Sequence, residues 1–274
     1  MRKDSPDLVS MVSAVSRWWL AFSLSTLLLL NCPMAMGFDA RGGEVAKVHE
    51  QITKDALSSS ICEANLKVIL LGCDSQDIAS AGADRYRHFQ DANLLKTLNF
   101  VEREKRKVLN FCATADSDEK SRACALYHFG QILHTLQDFY SRSNYLELKL
   151  NEIHRAHHDP TKEELYGLPL VDWSTLITKL RNGERTNITV EEADKSNPTD
   201  PESLRNINGI SYFSLARELA VRETERQWRQ LESLIKARLQ NNATAVTISL
   251  KTAGCPQQVV SEIMDRSDEL VPEL

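Results

Sequence analysis

The sequence is poor in several of the features that announce a function. Its 10 glycines form no phosphate-cradling loop, so a P-loop or dinucleotide-type site is excluded. Lys and Arg number 33 against 38 Asp and Glu, a formal charge of -5, which leaves no basic footprint for duplex nucleic acid. An enzyme that neutralises phosphate with a metal ion stays open. Aromatics make up only 7% of the chain, and no basic, aromatic stacking groove is evident, which disfavours a single-strand nuclease. No cysteine stands two to four residues from another, so zinc-finger spacing is missing. No Ser-His-Asp or Cys-His nucleophile pattern stands out, no internal repeat is visible, and alternating strand patterns are almost absent.

What is present begins at the N-terminus. Arg2, Lys3 and Arg17 flank an apolar run from Trp18 to Leu30, followed by Cys32-Pro33 and the small-residue triplet Ala35-Met36-Gly37. This run of thirteen residues, interrupted only by Ser and Thr, is short of the roughly 20 that span a bilayer. Residues 1–37 are therefore expected to be a signal peptide, with a mature chain starting at Phe38 and a secreted, extracellular product. Residues 38–240 are expected to form one helical domain, and 241–274 a C-terminal extension. Cleavage would remove Cys32 and leave five cysteines, of which Cys62 with Cys73 and Cys112 with Cys124 are candidate disulfides and Cys255 is odd. Two sequons, Asn187-Ile188-Thr189 and Asn242-Ala243-Thr244, fit a glycoprotein.

The fold class is expected to be all-α. Helical periodicity runs over 45–57, over 62–71 up to Gly72, and over 93–112. It is longest over 124–151, where Leu126, Phe129, Leu133, Leu136 and Tyr140 recur at three and four residues. Residues 157–208 carry four prolines and read as loop, with a short helix near Trp173 to Leu180. Ser211 to Leu239 reads as a last long helix, Ala245 to Leu250 as a brief strand, and the end from Val259 as a peripheral helix or tail. The charge run from Glu102 to Lys107 reads as a solvated face.

His134 and Asp138 are the leading candidates for chemistry, against the plainer reading of a hydrogen-bonded His-Asp pair at a helix surface. Four residues apart on a helix, they share one face, where an imidazole and a carboxylate reach one metal or two adjacent ones. Their neighbours are apolar, and a carboxylate buried there without a cation would be costly. His88, in Asp84-Arg85-Tyr86-Arg87-His88-Phe89, is a third candidate, His49 a fourth and Asp77 a fifth, with Asp74 competing for the last place.

This combination resembles the zinc-dependent phospholipase C and single-strand nuclease superfamily. The stretch Leu133-His134-Thr135-Leu136-Gln137-Asp138-Phe139 to Leu148 is similar, more closely, to fungal heterokaryon-incompatibility C proteins and to the N-terminal region of a von Willebrand factor A domain-containing protein. Ala193-Asp194-Lys195-Ser196 and Phe213 to Trp228 resemble that group's loop and last core helix. The resemblance implies an all-helical fold and zinc-dependent hydrolysis of a phospholipid or other phosphodiester, with peripheral contact to a lipid surface. It implies that the amine and carbonyl of Phe38, with His49, hold one zinc, that Asp77, His88 and His134 hold a second, and that Asp138 bridges the two. Asp77 and Asp138 would be the catalytic carboxylates, Asp77 orienting or deprotonating water. The third zinc of the superfamily is altered here: Arg142 stands where relatives carry histidine, and His154, His157 and His158 are the available substitutes. Arg142 would instead bind the substrate phosphate. The alternative is a catalytically impaired secreted binding protein that keeps the fold.

Overall fold

The computed structural model of the chain describes residues 48–79, 84–90, 93–155, 159–190, 195 and 201–266. The signal peptide expected over 1–37, Cys32 and Phe38 lie outside them, as do His157 and His158. The described residues belong to one compact unit and are almost entirely helical. In order they form α1 (Val48–Leu57), α2 (Glu63–Ala79), a 3-10 turn (Arg85–His88), α3 (Leu94–Cys112), α4 (Glu119–Arg142), α5 (Tyr145–Arg155), α6 (Lys162–Tyr166) and α7 (Trp173–Arg181). Then come α8 (Pro201–Leu204), a hairpin of β1 (Asn206–Ile207) and β2 (Ile210–Ser211), α9 (Tyr212–Leu239), α10 (Ala243–Thr252) and α11 (Gln257–Arg266). The all-α reading holds.

α4 is the axis of the fold, packed against α2, α3 and α9. Asp118 caps its start, accepting from the backbone amides of Lys120 and Ser121. Almost every side chain from Arg122 to Arg142 is buried. Leu126, Phe129, Leu133 and Leu136 meet their neighbours as their spacing requires, but the same helix also buries His128, His134, Gln137, Asp138 and Arg142. A helix buried on all sides has no solvated face for such groups, so each needs a partner inside the protein. The periodic segment does not run on to 151. Ser143 turns extended, its hydroxyl donates to the Phe139 carbonyl at 2.6 Å, and Asn144 engages Asn187 and Thr189, so α5 starts afresh at Tyr145.

The glycine at 72 does not end α2. α2 continues to Ala79 because Gly72 and Gly130 let α2 and α4 approach backbone to backbone. A Cβ on Gly72 would lie 2.0 Å from the Tyr127 carbonyl oxygen, and one on Gly130 would lie 2.0 Å from the Ile69 carbonyl oxygen. This crossing sets the distance between the last turn of α2, with Asp77, and the middle of α4.

Other expectations change for similar reasons of packing. Ala243–Thr252 is helix, not strand: Val246, Ser249 and Leu250 fall on one helical face and are buried, so core contact overrides the β-branched run. Val260 and Ile263 of α11 are also buried and join the same core cluster. The charge run in α3 is not wholly solvated, since Glu104 is 1% exposed and pairs with His128 of α4 at 2.8 Å and with Lys107 at 3.1 Å. The expected disulfides are absent, and all five cysteines among the described residues are free. Cys62 precedes α2 and Cys73 lies within it, so about 16 Å of helical rise separates residues eleven apart, far beyond disulfide reach.

Candidate metal centre

Three elements with no sequence proximity meet α4 at one point. α1 brings His49, buried with the apolar stripe of Val48, Ile52, Ala56 and Leu57. α2 brings Asp77 at its last turn. The 3-10 turn brings His88, and it is held by two anchors. Thr97 of α3 donates its hydroxyl to the Tyr86 carbonyl at 2.7 Å, and Phe89 drops into the core against Phe139 and Trp173. Phe89 has a φ of 49°, a backbone state that aromatic residues rarely adopt, and its full burial is what sustains it.

At the meeting point His134 and Asp138 are wholly buried, His49 is 3% exposed and His88 2%. The carboxylate of Asp138 sits among imidazole nitrogens: His88 Nδ1 at 3.0 Å, His134 Nε2 at 3.3 Å and His49 Nε2 at 3.5 Å. His134 Nε2 is also 2.9 Å from His88 Nδ1 and 3.7 Å from Asp77 Oδ1. The His49 and His134 rings stack with centroids 3.9 Å apart.

The outer nitrogens determine what the inner ones can be. His49 Nδ1 is 2.7 Å from Gln137 Oε1, and the Gln137 amide nitrogen donates to Thr53 and Thr224, so its oxygen must accept. His88 Nε2 is 3.2 Å from the Gln76 backbone carbonyl, which can only accept. Each ring therefore carries a proton on its outer nitrogen. In the neutral form each inner nitrogen turns a lone pair toward a carboxylate. Lone pair facing carboxylate is repulsive without a positive charge between them, and either a proton or a metal ion can supply it.

The titration behaviour of the cluster carries the same demand. Burial alone would raise the carboxyl of Asp138, yet the surrounding imidazoles, His134 first, hold it well below the usual range. Burial lowers His134 to about 3, helped by the neighbouring His49. Burial opposes charge on His49 too, but its hydrogen bond and attraction to Asp138 leave it raised.

Among the described residues two groups could hold a metal ion: His49 with His134 and Asp138, and Asp77 with His88 and His134, all ligand atoms within 4.8 Å of one another in each. Ligand atoms around a tetrahedral zinc stand about 3.3 Å apart. The separations of 2.9, 3.0, 3.3 and 3.7 Å fit that frame. The Asp77, His88 and His134 group is the expected set for one ion, with Asp138 positioned between it and His49. Asp77, and not Asp74, is at the centre, since Asp74 lines a cavity of about 700 Å³ with Glu63, Lys67 and Leu71 on another face.

Residues 44–165 match the family model of the VWA7 N-terminal domain. All five described ligand candidates and Arg142 lie inside that span. Neither a curated protein nor a solved structure matches the chain.

Arg142 is 2% exposed, with Nε 3.8 Å from Asp138 Oδ1, one turn from the centre. A second buried cation lies nearby. Lys195 is wholly buried, donates to the Ser143 carbonyl at 3.0 Å and pairs with Glu147 at 3.2 Å. His154 is exposed at the end of α5. Sequence reasoning missed Gln137, the Gln76 carbonyl and the anchoring of Phe89. The only signal for them was adjacency, since Gln137 precedes Asp138 and Phe89 follows His88.

Proposed function

We propose that this chain is a secreted, zinc-dependent phosphodiester hydrolase of the phospholipase C type. Its signal peptide ends at Gly37, and its substrate is a phospholipid or related ester. The observation that carries the reading is the buried convergence of His49, Asp77, His88, His134 and Asp138, with two imidazoles pinned from outside so that their inner nitrogens face a shared carboxylate. A pair of zinc ions, when bound, supplies polarisation of a phosphoryl oxygen and a water acidic enough to attack near neutral pH. The protein's part is to fix the donor set. Gln137 and the Gln76 carbonyl hold the tautomers, Asp138 lies between the two groups, and the Phe38 amine that signal cleavage would free is a further expected ligand. Asp77 is the one carboxylate of the centre with appreciable exposure, its side chain 18% open, which suits it to orient or deprotonate the attacking water. Arg142, buried behind Asp138, adds positive charge beside that carboxylate and does not open onto a substrate phosphate as expected.

One observation favours a second reading, a binding protein that keeps the metal sites without turnover. Arg142 and Lys195 are both buried at the end of α4, and Arg142 stands at the position where the resemblance implies an altered third metal site. A single experiment separates the two. The chain starting at Phe38 is assayed for hydrolysis of bis(p-nitrophenyl) phosphate and phosphatidylcholine, with His134→Ala and Asp138→Ala as controls. Zinc-dependent turnover lost in both variants supports the hydrolase; bound zinc without turnover on either ester supports the binding protein. A start one residue upstream of Phe38 should lose one zinc, and unchanged stoichiometry would refute the role of the terminal amine.

A further inference from the structure

The start of α2, at the opposite end of that helix from Asp77, and the link between α10 and α11 are laced together. The Cys62 backbone amide donates to the Lys251 carbonyl at 2.7 Å, and the Asn65 amide donates to the Ser249 and Leu250 carbonyls at 3.2 and 2.9 Å. A Cβ on Gly254 would stand 3.2 Å from the Ala64 Cβ, so the residue before Cys255 touches the residue two after Cys62. The Cys255 thiol donates to Asn65 Oδ1 at 3.3 Å, one helical turn beyond Cys62.

We propose that Cys62 and Cys255 form a disulfide on oxidation, stapling the C-terminal helices to the start of α2. Both cysteines are partly exposed, so an oxidant can reach them, whereas Cys73, Cys112 and Cys124 are buried. Burial raises the Cys255 thiol, Arg122 counters it, and Cys62 is close enough for its charge to raise it further. Cys124 is also near Cys255, but burial pushes its thiol up to about 11, which makes it the poorer nucleophile. The oxidant is a low-molecular-weight disulfide, R–S–S–R. The first protein thiolate attacks it and releases one R–S⁻, and the second attacks the mixed disulfide and releases the other. The protein loses two electrons, R–S–S–R gains them, and the two cysteine protons end on two R–SH.

The bond would close a loop of nearly the whole described chain, the case in which a cross-link restricts the unfolded state most. Full-length protein is incubated with oxidised or reduced glutathione, alkylated in denaturant, digested without reduction and mapped by mass spectrometry. The expected result is a Cys62–Cys255 linked peptide with Cys73, Cys112 and Cys124 alkylated, and a melting temperature about 10 °C higher in the oxidised sample. That difference should vanish in Cys62→Ser and Cys255→Ser. Alkylation of both residues after oxidation, or linkage of Cys255 to Cys124, overturns the proposal. The wild-type map decides even if a variant fails to fold.

Discussion

Gly130→Ala is the substitution for which two physical arguments disagree in sign. Gly130 lies inside α4, where alanine is the better helix former by about 1 kcal/mol, so local propensity alone forecasts a more stable protein. The crossing with α2 forecasts the opposite. The added Cβ would fall 2.0 Å from the Ile69 carbonyl oxygen and 3.0 Å from the Cys73 amide nitrogen, both of them backbone atoms that cannot rotate away. Ordinary contact between carbon and oxygen needs about 3.3 Å, so α2 and α4 must part by more than 1 Å. Overpacking of this kind costs about 1–3 kcal/mol and more when backbone must move. The net expectation is a loss of at least about 2 kcal/mol, read as a fall of roughly 4–8 °C in melting temperature by circular dichroism. The same displacement would carry Asp77 away from His134, four residues beyond Gly130, so zinc affinity should fall with stability. An unchanged or higher melting temperature, in Gly130→Ala and Gly72→Ala alike, would refute the close crossing.

Glu104→Gln tests the buried pair with His128. Burial alone would raise this carboxyl, but His128 and then Lys107 bring it from 4.5 to about 2, worth roughly 3 kcal/mol in the folded state. Because the folded value is depressed, that contribution is complete above about pH 4.5 and disappears as the pH falls toward 2. The stability gap between wild type and variant in urea should therefore be about 3 kcal/mol at pH 7 and close over that acidic window; a gap independent of pH would contradict it. Gln137→Met removes the acceptor that fixes His49, and competition against a chelator should show zinc held about 10–100-fold more weakly. Equal affinity would show that the His49 tautomer is set by something else.

The sequence and the structure agree most where one helix supplies both the pattern and the chemistry. His134 and Asp138 share a face because of their spacing, and α3, α7 and α9 follow their apolar periods to within a residue or two. Agreement fails where a neighbour decides. Gly72 has the local look of a helix stop and is in fact the point at which α4 approaches, a feature no single-helix pattern contains. Val246 and Ile248 favour a strand until the core claims one face of α10. Glu104 belongs to a charged run and is buried only because His128 stands on the facing helix. Cysteine pairing by nearness in sequence failed for the same reason. Helical rise carries Cys62 and Cys73 apart, while the return of the chain brings Cys255 to the start of α2.

The central claim is that the histidines and aspartates brought together from four elements bind metal. It is tested most directly by counting zinc per molecule, by elemental analysis of the chain starting at Phe38 after zinc loading and desalting, beside Asp138→Asn, which keeps the shape of the shared carboxylate and removes its charge. Two zinc ions in the wild type and fewer than one in the variant is the predicted result. No zinc in the wild type, or an equal count in both proteins, would contradict the account.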